Sequence, residues 1–136
     1  MTKARIERFG KEDEGSATFE ACIWIPFLLL FFIMILDGTS IFTNQAKVHR
    51  IVQDANRQFV SGVFKLEPNP QMAMETWLET ALDDIAPSAD ATISIDANGL
   101  LTTTVSYPAS ETDLSGVTGV FKNLTMNVKA IHQTES

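Results

Sequence analysis

Cysteine is almost missing from this chain of 136 residues. The single one, Cys22, lies inside an apolar run, so no internal disulfide can form and cysteine usage does not reveal the redox compartment. Histidine is nearly as scarce: His49 and His132 are far apart in sequence and fit no metal or triad spacing. No Gly-rich phosphate loop occurs, and no serine occupies a nucleophile-elbow motif. Asp83 and Asp84 with Asp90 do not form a recognisable calcium loop, and Asn123-Leu124-Thr125 matches a glycosylation acceptor only as such tripeptides do by chance. No enzyme, cofactor, metal or small-molecule substrate is therefore expected. Basic residues are also few. Ten Lys and Arg against seventeen Asp and Glu give a formal net charge of −7, and because the first fifteen residues are balanced, all of that excess follows Gly15. An acidic chain of this kind is a poor binder of nucleic acid.

Apolar sequence is abundant, and it is concentrated. Residues 21–36 carry no charged side chain, and their only polar groups are the indole of Trp24 and the thiol of Cys22. At about 1.5 Å per residue this run falls slightly short of a hydrocarbon layer about 30 Å thick, and flanking residues from Ser16 to Phe42 bring it to spanning length. Lys3, Arg5, Arg8 and Lys11 precede the span closely, whereas Lys47 and Arg50 follow at a distance, which orients the N-terminus to the cytoplasm. A cleaved signal peptide would need a small-residue site after the run, and Leu36-Asp37-Gly38-Thr39-Ser40 matches one weakly.

Glu20 stands one residue before the run. An ionised carboxylate near lipid costs a few kcal/mol, so it calls for a partner. A cut after Gly15 would create one: the α-amino group of Ser16, one helical turn from Glu20 on the same face. Gly15, then Glu20 at the fifth position, then an apolar helix resembles the processing site of type IV pilins and pseudopilins. The fuller pattern, Arg8-Phe9, the stretch from Asp13 to Glu20, then Ile25-Pro26-Phe27-Leu28-Leu29-Leu30, is similar to the TadE-like minor pseudopilins of tight-adherence (Flp) pilus systems, the TadE/TadF family. It covers about the first forty residues. Ala21 stands where major Flp pilins carry an aromatic residue, which separates the chain from the bulk subunit.

The resemblance implies that Gly15 ends a leader, Ser16 begins the mature chain, and Glu20 serves processing or assembly. It implies as partners a prepilin peptidase and other pilus subunits, packed through the helix that carries Trp24, Pro26, Phe27 and Phe31. It also implies a single-pass protein of the bacterial inner membrane with a periplasmic C-terminus. The alternative from the residues alone is a bitopic scaffold or sensor whose outer domain binds a partner; a tethered enzyme is the weakest.

The remaining chain reads as one small α+β domain. Residues 1–15 read as a disordered cytoplasmic leader, 16–42 as the membrane helix and 43–136 as the periplasmic domain. Pro26 removes a helical hydrogen bond and is expected to bend the helix. Ile41, Phe42, Ala46, Val48, Ile51, Val52, Ala55, Phe59, Val63 and Phe64 extend the helix as an amphipathic spine, opposite a face with Asn44 and Asn56, and Gly38 is its expected flexible point. Leu66-Glu67-Pro68 breaks it; Asn69 caps and Pro70 opens a second helix that ends before Pro87, with Met72, Met74 and Trp77 as core. From Ala91 the period becomes two. A hairpin through an Asn98-Gly99 two-residue turn, a loop from Pro108 to Val120 and a strand around Leu124 to Ala130 predict three antiparallel strands, followed by a loose tail over residues 132–136.

Overall fold

The computed structural model describes residues 3–117 and 119–134, with side chains from Ser16 onward. Its elements follow the α+β order expected: α1 (Lys3–Val60), α2 (Pro70–Leu82), β1 (Asp90–Ile95), β2 (Leu100–Pro108), a 3-10 turn (Ala109–Glu111) and β3 (Thr125–Gln133). The sheet is antiparallel in the order β1-β2-β3. The C-terminal half of α1 and the whole of α2 cover one of its faces, α1 over β3 and β2, α2 over β1.

Alternation along the strands sets which residues reach that covered face. Ala91 and Ile93 of β1, Leu101, Thr103, Val105 and Tyr107 of β2, and Val128 and Ala130 of β3 are buried. The register puts Val105 between Ala91 and Val128, and Thr103 between Ile93 and Ala130. From above, α1 contributes Val48, Val52 and Ala55, and α2 contributes Met74, Leu78 and Leu82. Each fully buried Val or Leu is worth about 1.5–3 kcal/mol, so these few side chains hold the layers together. β1 is an edge strand, and Glu75 of α2 covers it: its carboxylate accepts the Ile93 N–H at 3.0 Å, occupying a group that another chain could pair with.

α1 departs from expectation in three places. It begins at Lys3 where the sequence reads disorder; Ala, Arg, Glu and Lys are strong helix formers, and extending an existing helix is cheap compared with nucleating one. It stops at Val60 rather than near Phe64. Gly62, at φ +87°, closes a Schellman motif in which Val63 N–H bonds to Gln58 and Gly62 N–H to Phe59, satisfying the last carbonyls. Its buried stripe also differs: Phe42 is 68% exposed, whereas Asn56, expected outside, is buried.

α2 opens as expected, with the Asn69 side chain accepting the Met72 N–H at 3.3 Å. Met74 is core and Trp77 is half-buried, but Met72 is 63% exposed because it lies off the stripe running through Met74, Leu78 and Leu82. The hairpin turn is longer than the two residues expected. Gly99 N–H bonds to Asp96 and Asp96 N–H to Leu100; Asn98 keeps negative φ, and Gly99 alone adopts φ +74°. That is a type I turn closed by a left-handed glycine, the usual three-residue hairpin loop. β3 runs to Gln133, so the tail is shorter than expected, and residues 135 and 136 lie outside the described residues.

Candidate functional site: the exposed helix and its junction with the head

An apolar helix that meets no other element of its own chain leaves its surface free for lipid or for other proteins. Residues 16–36 of α1 are exposed apart from the half-buried Ile33. Ile23, Trp24, Phe27, Leu28, Leu30, Phe31, Phe32 and Ile35 all stand 46% exposed or more. Among the described residues one helix is thus long and apolar enough to cross a membrane, within Ser16–Val60.

The residues singled out in the sequence share a side of this rod. Ser16, Glu20, Trp24, Phe27 and Phe31 succeed one another at steps of three or four, which confines them to about a quarter of the helix circumference. Trp24 and Phe27 touch as tilted rings with centroids 6.2 Å apart. Glu20 is exposed on that stripe, one turn after Ser16. Pro26 lies on the neighbouring flank, and α1 runs through it as one helix. The backbone at Gly15 belongs to α1, while its surroundings lie outside the described residues.

At the other end of the apolar run the structure builds a junction that the sequence reading missed. Asp37, fully buried, receives two hydrogen bonds from Ser115, 78 residues away: the backbone N–H at 2.9 Å and the hydroxyl at 2.7 Å. One turn on, the Ser40 hydroxyl and the Asn44 amide both donate to the Thr112 carbonyl, at 2.9 and 3.1 Å. The chain between β2 and β3 is therefore stapled to the helix where its apolar run stops. A signal was present. Asp37, Ser40 and Asn44 continue the stripe of Ile41, Val48 and Val52 at helical spacing, so polar residues occupy a face that otherwise points inward. Gly38 is not a break: α1 continues through it, and a Cβ there would meet only the Phe121 ring edge at 4.0 Å, an ordinary contact.

No protein-family model, curated protein or solved structure matches this chain.

Two further polar features belong to the head. Asn56 of α1 accepts a 2.5 Å hydrogen bond from the Thr103 hydroxyl at the centre of the sheet, which fixes the register of helix on strand. His49 and His132, unrelated in sequence, come to line one open groove between α1 and β3 together with Gln53, Arg57 and Lys129. His49 and Gln53 share a 3.0 Å hydrogen bond there. Asp83, Asp84 and Asp90 are exposed, and among the described residues no three His, Cys, Asp or Glu side chains converge as metal ligands.

Proposed function

We propose that this chain is a minor pseudopilin resembling TadE, which takes part in Flp-type pilus biogenesis from the bacterial inner membrane. The observation that carries the reading is the form of α1: an apolar rod exposed along residues 16–36 apart from Ile33, with Glu20 at one end and a small α+β head at the other. In this reading a prepilin peptidase cuts between Gly15 and Ser16, leaving the N-terminus on the cytoplasmic side and the head in the periplasm. The new Ser16 amine lies one turn from Glu20, in the same chain or a neighbouring one, and each charge lowers the other's cost at the lipid boundary. Lateral packing then uses the stripe of Trp24, Phe27 and Phe31, and a subunit out of register leaves a charge stranded.

Glu20→Ala in cells that make the cognate pilus tests this directly. Membrane insertion should be unchanged, while processing or incorporation into the assembly falls by about tenfold or more, as for a loss of about 1.4 kcal/mol or more. Full incorporation of the variant would remove the charge pairing from the account. A second reading, a bitopic scaffold with a periplasmic partner, is favoured by the polar groove between α1 and β3.

A further inference from the structure

The connection between β2 and β3 is unusual in what it exposes. From Leu114 to Phe121 it carries no charged residue, with Asp113 before it and Lys122 after it. Within it Leu114, Val117 and Val120 are 68%, 67% and 62% exposed. Scattered apolar side chains on a surface need no explanation, but three in one short connection that no element among the described residues covers do.

Position supplies the explanation. Ser115, between Leu114 and Val117, is held by both oxygens of Asp37, the residue that follows the last apolar position of the rod. Phe121 reaches the helix at Gly38, and Thr112 is held by Ser40 and Asn44. If the apolar run of residues 21–36 lies in the hydrocarbon layer with Glu20 at its inner boundary, Asp37 falls near its outer face, and the stapled connection lies where acyl chains meet headgroups. Leu36 at the end of the rod and Leu114, Val117 and Val120 of the connection are then exposed apolar side chains on either side of a buried polar staple. The apolar face of an interfacial amphipathic helix is buried about 5–10 Å into this boundary, and apolar side chains of a connection held at the same level have the same reason to enter it.

We propose that the β2–β3 connection is an interfacial lipid anchor, a second membrane contact that seats the head on the outer leaflet and fixes its tilt relative to α1. Leu114, Val117 and Val120 enter the headgroup–acyl boundary, and the Asp37–Ser115 bonds set their depth. The proposal rests on α1 crossing a bilayer, not on participation in a pilus.

The test uses the full chain in vesicles of phosphatidylcholine and phosphatidylglycerol. An environment-sensitive fluorophore is placed on native Cys22, or, in a Cys22→Ser background, on Leu114→Cys, Val117→Cys or Leu66→Cys, and lipids with a nitroxide near the headgroup are added as quenchers. Leu66 is 97% exposed, beyond the end of α1 and distant from the junction in sequence. Quenching at Leu114 and Val117 should exceed that at Leu66 several-fold, with Cys22 quenched as well. Quenching at Val117 no stronger than at Leu66, with Cys22 quenched, overturns the anchor and leaves the span standing. Protection of Val117 from aqueous iodide without lipid quenching also overturns it, because a second copy would then be the cover. An unquenched Cys22 removes the span and the anchor with it.

Discussion

Asn56 and Thr103 meet where the helix crosses the middle strand, and each is tolerable inside because the other is there. Asn56→Leu would leave the Thr103 hydroxyl buried without its acceptor, a loss of about 1–3 kcal/mol, whereas Asn56→Leu with Thr103→Val removes both groups and should recover most of it. Thermal unfolding of the full chain in detergent micelles reads the difference. Tyr107 is the opposite case. It is 1% exposed, and among the described residues its hydroxyl has no hydrogen-bond partner. Burial pushes its pKa above the ordinary 10.0. The unfolded chain therefore loses this proton first as pH rises, so the stability tied to the protonated phenol is complete below pH 10 and is lost above it. Tyr107→Phe should match or exceed the parent by up to about 1 kcal/mol near neutrality and should lack that alkaline loss, which unfolding across pH 8 to 11 would reveal. At this scale the sequence was legible only in part. Thr103 falls in the same alternating set as Leu101, Val105 and Tyr107, and helical spacing put Asp37 in line with the buried stripe, but nothing local shows what Asp37 or Asn56 would bond, because their partners lie 78 and 47 residues away.

The elements themselves were far more legible. A period of two marked the strands, and their register follows from which alternating set is apolar. Asn69 and Pro70 marked the start of α2 with the residue types a helix start demands. Ends and turns were harder, since they depend on glycine conformation rather than on pattern. Gly62 ends α1 four residues before the apolar stripe does, and Gly99 makes the hairpin loop a residue longer than Asn-Gly alone suggests. Gly99 is also where a side chain is least tolerable: a Cβ would lie 2.9 Å from the Thr134 hydroxyl at a positive φ. Gly38 presents the contrast. It lies within a continuous helix with room for a methyl group, so Gly38→Ala should stabilise the chain by about 0.5–1 kcal/mol, seen as a higher melting temperature in micelles. A lower melting temperature would mean that glycine is needed there, as a flexible point would require.

For the whole molecule, the decisive feature is the asymmetry between a small two-layer head and a helix of 58 residues that reaches well beyond it. A head of this size buries limited apolar surface by itself, so neighbours along the helix or lipid beneath the head would add to its stability. The apolar rod was plain in the sequence because composition alone reveals it; the junction that ties the head to the rod was not, because it is made by tertiary contacts at Asp37, Ser40 and Asn44. On the proposed reading, proteolysis just before the rod supplies the cation that Glu20 needs, and assembly follows from that pairing. The most direct measurement is the N-terminal sequence and intact mass of the protein extracted from membranes of cells that contain the cognate peptidase. The account predicts a chain that starts at Ser16, fifteen residues lighter than the translated one. A chain that still starts at Met1 or Thr2 would contradict it.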